Sequence, residues 1–259
     1  MMRSLSAKIF RLTFSALVLC STCDAAEKAD RPGWKLTFQD EFNGRALDLQ
    51  KWNPNDPWGR ERNRELQAYV KDAFEVANGI LRIKAEKREA TYGGKQRSFT
   101  SGMMTTYGKF SQQYGRFEIR CRIPKGKGIW PAFWLLPDPL AWPPEIDVLE
   151  ILGHEPGKIY MTHHFRDEQR QHKSDGHSWS GPDFSAGFHE FAVEWSPERI
   201  VWFVDGVERY RSEKTIPQVK MYLLINLAIG GDWPGAPDAN THFPAAFEVD
   251  YVRVYQKAS

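Results

Sequence analysis

The sequence predicts an all-β fold, a sandwich or jelly roll, on three observations. Residues 116–123 alternate strictly: Phe117, Ile119, Cys121 and Ile123 are apolar, while Arg116, Glu118, Arg120 and Arg122 between them are charged. Period-two alternation is the mark of an antiparallel strand with one face packed and one face wet. Turn dipeptides, Asn78-Gly79 and Asp205-Gly206, separate short β-branched and aromatic runs, as hairpins require. No stretch carries three turns of helical periodicity, and no internal repeat or linker interrupts the pattern.

The elements follow in order. Met1-Met2-Arg3, Lys8 and Arg11 precede an apolar run from Leu12 to Cys20, then small residues up to Ala26. This is the layout of a secretory signal peptide, too short in its apolar part to span a bilayer. Cleavage is expected after Ala25 or Ala26, leaving 27–259 as one domain; Leu19 and Thr22 are too bulky to precede a lipidated cysteine at Cys20 or Cys23. Trp34 to Phe38 reads as the first strand, and Asp40-Glu41-Phe42-Asn43-Gly44 as a turn. Residues 51–65 are dense in Pro, Asn, Arg and Gly and predict a long ordered loop, a common seat of function. Ile80 to Lys84 leaves the Asn78-Gly79 turn as a strand. The 116–123 strand buries Cys121, whose thiol is therefore expected to be structural. Phe191, Val193 and Trp195 alternate, and Ile200 to Val204 forms a hairpin with the segment from Val207. Met221 to Ile229 is apolar almost throughout, as in a strand covered on both faces. Phe247 to Tyr255 closes the chain as a strand.

Charge narrows the partners. Removing residues 1–26 takes away Arg3, Lys8, Arg11 and Asp24, turning 35 basic and 33 acidic residues into 32 of each. A balanced secreted chain gives nucleic acid or an anionic membrane no electrostatic handle. Cys121 stays alone, so no internal disulfide forms and the core must supply stability. The ten tryptophans, sixteen phenylalanines and nine tyrosines are many for this length; core packing accounts for most of them, and a few in loops or on an open sheet face would suit stacking on sugar rings, which composition alone does not separate.

The chemistry concentrates in Glu145-Ile146-Asp147-Val148-Leu149-Glu150. In a regular strand Glu145 and Asp147 share a face and Glu150 takes the other. One β-bulge ahead of Glu150 returns it to their side. The two glutamates are then about four strand steps apart, ~13 Å along the backbone. Side chains leaning together can close that gap to the ~5–5.5 Å of a retaining glycosidase, in which one carboxylate attacks and the other supplies a proton. Crowding of like charge raises the pKa of the group that tolerates ionisation least. An exposed acidic edge or a calcium-binding strand is the bland alternative.

Taken with Asp40 to Gly44, Asn63-Arg64-Glu65-Leu66-Gln67, Tyr114 to Glu118, Gly128 to Trp134, Gly230 to Gly235 and Asp250 to Tyr255, the motif makes the chain resemble glycoside hydrolase family 16, in its laminarinase-like branch. The resemblance spans nearly all of 27–259. It implies a concanavalin-like β-jelly roll of two curved antiparallel sheets with a concave substrate cleft. It implies Glu145 as nucleophile, Asp147 as the residue that orients it, and Glu150 as general acid/base. It further implies Trp130, Trp134, Trp142 and Trp233 as sugar platforms and His164 as a hydrogen-bonding partner near the acid/base. Asn63 is implied either as a sugar ligand or as a brace of its own loop. No cofactor is needed for catalysis. A structural calcium on Glu41, Gly79 and Asp250 is implied on the convex side, against the alternative of surface acids without an ion.

His163 and His164 point to opposite faces of one strand; His154, His172, His177, His189 and His242 are scattered without metal-ligand spacing, which argues against zinc. Met103 stands where many laminarinase-like sequences carry a basic residue, which leaves the linkage preference open. The expected protein is a secreted, monomeric retaining endo-β-glucanase acting on β-1,3 linkages of a β-glucan polysaccharide. Lichenase or agarase specificity, transglycosylation, and a non-catalytic lectin on the same architecture stand as alternatives.

Overall fold

Alternating apolar residues in so many short segments can be buried only by stacking sheets face to face. The structure, a computed structural model, describes residues 29–138 and 140–258. The expected signal segment and its cleavage site at Ala25 or Ala26 lie outside these residues.

The strands in chain order are β1 (Trp34–Asp40), β2 (Gln67–Tyr69), β3 (Phe74–Ala77), β4 (Ile80–Ala85), β5 (Ala90–Tyr92), β6 (Lys95–Arg97), β7 (Phe99–Ser101), β8 (Met103–Thr105) and β9 (Gly115–Arg122). They continue as β10 (Ile129–Pro137), β11 (Glu145–Ile151), β12 (Lys158–Arg166), β13 (His172–Ser180), β14 (His189–Trp195), β15 (Ile200–Val204), β16 (Val207–Ser212), β17 (Met221–Ile229) and β18 (Ala245–Lys257).

Two antiparallel sheets form the jelly roll. The outer, eight-stranded sheet runs β16-β15-β14-β9-β18-β4-β3, with β1 also paired to β18. The inner, six-stranded sheet runs β13-β12-β11-β10-β17-β8. Phe117, Ile119 and Cys121 from one and Phe133, Leu135, Ile146, Leu149, Leu223, Ile225 and Leu227 from the other meet in a single buried cluster. The Asn78-Gly79 and Asp205-Gly206 turns both take positive φ at both positions (55° and 73°; 49° and 75°), the backbone that tight hairpins need.

One strand departs in part from simple expectation, and another meets it. β9 is not half-wet: Arg116 and Glu118, on the face opposite Phe117, are 2% and 1% exposed. The Arg116 guanidinium donates to Glu118 at 2.7 Å, to Glu190 at 2.8 Å and to Glu194 at 3.2 Å, and Arg31 donates to Glu118 at 3.0 Å. Charge alternates along β9 as the sequence says, but the charged face is buried among counter-ions at Arg116 and Glu118 and stays half-exposed only at Arg120 and Arg122. β17 is buried at every position, with Leu223, Ile225, Leu227 and Ile229 in the inter-sheet core. Its other face is covered by aromatic neighbours at Tyr222 and Leu224 and becomes cleft lining at Asn226 and Ala228.

Removing one partner from a buried ionic network leaves uncompensated charge, at a cost of ~3–5 kcal/mol. Arg116→Ala is therefore expected to lower the unfolding free energy by about that amount in urea titration, while breaking an exposed, solvent-screened pair such as Arg211–Glu208 should leave the midpoint almost unmoved.

Candidate active site

The inner face of the six-stranded sheet carries a cleft of about 830 Å³. It is built on β11 and its two neighbours. Glu145 pairs with His164 and Asp147 with Thr162 in β12, but the next pair is Glu150 with Tyr160: three residues on one strand against two on the other. On the β10 side, Asp147 opposes Trp134 and Leu149 opposes Phe133, the same extra residue. This is the expected bulge, and it brings Glu145, Asp147 and Glu150 together on the cleft lining. Val148 and Leu149, inside the bulge, are buried in the core. From the opposite sheet Trp202 donates its indole N–H to the Asp147 carbonyl at 2.8 Å, satisfying a carbonyl that the broken ladder leaves over.

Aromatic donors hold the two glutamates. Trp142 Nε1 donates to Glu145 Oε2 at 2.9 Å, and Trp130 Nε1 donates to Glu150 Oε1 at 3.1 Å. His164 Nε2 lies 3.3 Å from Asp147 Oδ2 and 3.8 Å from Glu145 Oε1. One ligand atom each of Glu145, Asp147 and His164 falls within a 4.8 Å cluster. The resemblance put His164 beside the acid/base; it stands instead beside Glu145 and Asp147, because the ladder pairs it with Glu145. His163, on the other face, is fully buried, as parity requires.

Burial raises the pKa of all three carboxyls, and the Asp147 charge adds to that rise at both glutamates. Burial pushes Glu145 well up and the Asp147 charge adds to it, while His164 and the Trp142 N–H pull it back. Burial pushes Glu150 well up, and the charges of both Asp147 and Glu145 add to it, with only the Trp130 N–H opposing. Asp147 is pushed up to about 7, chiefly by burial. The three cannot all ionise together near neutrality. With more support for its anion, Glu145 and its Asp147 neighbour give up a proton first, and Glu150 keeps its own longest.

The expected platforms are all on the cleft. Trp130, Ala132 and Trp134 share the cleft face of β10, and Trp134 Nε1 donates to Asn226 Oδ1 at 2.8 Å. Trp142 is 49% exposed and Trp233 40%, open enough to meet a ligand. Trp233 stands edge-on to Trp130 and Tyr160, with ring centres 5.3 and 4.7 Å away. Asn63 lines the cleft and also donates to Glu65 Oε1 at 3.2 Å, so it both faces the ligand space and braces its loop.

Several cleft residues escaped the sequence reading. Trp58 stacks near Trp134 at 6.2 Å, with the Arg62 guanidinium 4.4 Å above it. Arg62 reaches the Met103 sulfur at 4.0 Å, so a cation from the 51–65 loop stands beside the position where the resemblance expected one. Asn226 was legible as a lone polar residue in an apolar strand. Glu65 and Trp58, on the loop, and Tyr69, on the three-residue β2, carried no periodic signal.

The calcium set fares differently. Glu41 makes a two-pronged ion pair with Arg253 at 2.7 and 2.8 Å, and Asp250 pairs with Arg120. Gly79 lies near the Glu41 backbone carbonyl, 4.0 Å from where a Cβ on Gly79 would stand. As placed, both carboxylates are engaged by arginines that an ion on them would have to displace, and no chemistry is assigned to that site.

Comparison with known proteins agrees with this geometry. The model of glycosyl hydrolases family 16 matches residues 64–253. The chain belongs to that family. A β-glucanase of Rhodothermus marinus is 37% identical over 93% of this chain and 92% of its own length. Glucan endo-1,3-β-glucosidase A1 of Niallia circulans is 35% identical over 87% of this chain, which spans 38% of that longer protein. Among solved structures, the laminarinase catalytic domain of Thermotoga maritima superposes with a TM-score of 0.79 at 35% identity, covering 87% of this chain and 99% of that one. The family 16 chain is thus a glycoside hydrolase with its three acidic residues on one face of one bulged strand.

Linkage gives a test of the buried charges. A carboxyl whose pKa rises on folding binds its proton more tightly in the native state, so the fold loses stability as pH rises from the unfolded value to the folded one. For Asp147 that window runs from 3.8 to about 7. Asp147→Asn is expected to melt above the parent at pH 7.5, by more than the ~2–4 °C that 1 kcal/mol gives a domain of this size. The difference should vanish below about pH 4, where Asp147 is protonated in both states; scanning calorimetry across the range reads it.

Proposed function

We propose that the chain is a secreted, retaining endo-β-glucanase that hydrolyses β-1,3 linkages in laminarin-like or mixed β-1,3-1,4-glucans. The observation that carries the reading is the bulge that returns Glu150 to the face of Glu145 and Asp147. Glu145, ionised, attacks the anomeric carbon while Glu150, protonated, gives its proton to the leaving oxygen. The glycosyl ester on Glu145 is then hydrolysed by a water that Glu150, now a base, deprotonates, and configuration is retained. Asp147 shares the proton and charge of Glu145 and takes no bond to the sugar. Trp142 and Trp130 restrain the two carboxylates through their N–H groups, and Trp134 and Trp233 offer ring faces to flanking sugars. Two carboxyls supply nucleophile, acid and base, so the route calls on no cofactor. The signal-like residues 1–26 support export.

β-1,3 specificity is supported by the bulged form of the motif and by the relatives' names. The purified 27–259 chain is expected to release short oligosaccharides from laminarin, and more slowly from mixed-linkage glucan. Glu150→Gln should lower kcat by ~10²–10⁴-fold, as for loss of a general acid, and Glu145→Gln at least as much. Asp147→Asn should do less harm. Azide should restore turnover to Glu145→Gly with an inverted glycosyl azide as product. Normal turnover by either glutamine variant would refute the roles; release from mixed-linkage glucan alone would move the specificity to a lichenase.

A further inference from the structure

His172 lies on the edge strand β13, exposed and outside the cleft lining, yet it touches two groups that face Glu145 and Asp147. Its Nε2 is 3.0 Å from His164 Nδ1. Its ring centre is 4.7 Å from that of Trp142, and the two imidazoles lie nearly parallel at 5.2 Å. The donor in the imidazole pair follows from what lies beyond. His164 Nε2 faces carboxylate oxygens at 3.3 and 3.8 Å, where a lone pair would be repelled, so Nε2 carries the proton. In a neutral His164, Nδ1 is then the acceptor, and His172 Nε2–H must be the donor.

We propose that His172 is a positioning residue for the hydrolytic reaction: it fixes the Nε2–H tautomer of His164 toward Asp147 and supports the indole of Trp142 that donates to Glu145. The inference rests on the catalytic reading given under Proposed function. One edge-strand side chain thereby steadies both the imidazole beside Asp147, whose buried Oδ2 has no hydrogen-bond partner, and the N–H that restrains Glu145. Its charged surroundings favour a neutral ring. His164 and Arg166 face it from β12, and Lys173 adjoins it on β13, the last paired to Asp167 at 3.6 Å. Glu145 and Asp147 lie beyond His164 on β11, and residues 140–144 around Trp142 carry no charge, the acid of that connection being Asp138 at its far end. Partial loss of solvation and the neighbouring Arg166 and Lys173 charges lower the pKa of His172. A neutral His172 can go on donating to His164 as the pH falls toward the acid limb of activity.

Three substitutions separate the contacts. His172→Phe keeps a ring against Trp142 but removes the hydrogen bond; His172→Gln keeps an amide donor; His172→Ala removes both. The Phe variant is expected to lose ~10–100-fold in kcat on laminarin with little change in KM, by analogy with the loss when the hydrogen-bonding partner of a metal-bound imidazole is removed. Its acid limb should move to higher pH, because the anion shared by Glu145 and Asp147 loses an oriented donor. Gln should recover most of both, and Ala should be the weakest. Long-range 1H–15N spectra of histidine-labelled protein should show His164 protonated at Nε2 in the parent and a mixture of tautomers in His172→Phe. A Phe variant with parental kcat, acid limb and His164 spectrum overturns the proposal. So does one that only melts earlier, since a mere brace would lower Tm and leave the tautomer alone. If Glu145→Gln kept full turnover, the catalytic reading would fall, and the tautomer spectrum would still decide whether His172 orients His164.

Discussion

One extra residue in β11 is the constraint on which the site depends. Without it, strand parity sends Glu150 into the core, where an apolar packing partner would be required, and leaves Glu145 and Asp147 without an acid/base. With it, three acidic side chains reach the cleft while Val148 and Leu149 remain inside. The bulge is fixed from both ladders and from below. Register is regular on either side of it, and the Trp202 indole caps the Asp147 carbonyl from the outer sheet. The depth of the core behind β11 therefore bears on the position of the carboxylates, because Trp202 is itself a fully buried core side chain.

That arrangement works against the stability of the fold. Three carboxyls that burial and mutual repulsion drive toward the protonated form are an electrostatic load at neutral pH. The outer sheet also buries charge, with the opposite outcome. There Arg116 sits among Glu118, Glu190 and Glu194, and Arg31 joins the first two, so every acid touches a guanidinium and the Arg116 donors are occupied. The same chain buries acids in two ways: neutralised by arginine where the face only has to pack, and left short of cations where a proton must be held and released. Acids lacking a full counter-ion at a buried site are the ones poised for chemistry.

Much of this was legible in the sequence. Strand positions followed from period-two patterns and turn dipeptides, and the catalytic strand from its acids and the one bulge needed to unite them. Parity alone separated His163 from His164 and put Trp130 with Trp134. What escaped depended on distances that parity does not encode. The second face of β9 looked wet because arginine and glutamate alternate there, and only the neighbouring strand β14, with Glu190 and Glu194, shows that they neutralise one another. His172 looked like one of several scattered histidines, yet antiparallel pairing of β12 with β13 sets it opposite Arg166, within reach of His164. Arg62 came from a loop whose path no local rule predicts. Glu41 and Asp250 were implied as cation ligands by resemblance, and the arginines that hold them come from Arg253 and Arg120, on strands whose register the resemblance did not supply.

The tryptophan content acquires a physical reason once the donors are traced. Indole is the aromatic side chain that presents a broad apolar face and a single N–H that neither accepts nor ionises. Trp130 and Trp142 aim that N–H at Glu150 and Glu145, Trp134 at Asn226, and Trp202 at the Asp147 carbonyl. Phenylalanine would give a stacking surface with no donor, leaving carboxylate oxygens unpaired. Tyrosine would add a hydroxyl that can also accept, and so would not fix which way the hydrogen bond runs. Lysine or arginine would supply the donor but bring a full charge, which would stabilise the glutamate anions and drain the proton that Glu150 has to hold. A neutral, donor-only aromatic keeps the carboxyls oriented with only a modest fall in their pKa and leaves its ring face for a sugar. On the proposed reading, sugar stacking and acid/base control would place the same demand on Trp130 and Trp142, and tryptophan is the side chain that meets both; Trp202, buried in the core, answers only the need for a donor.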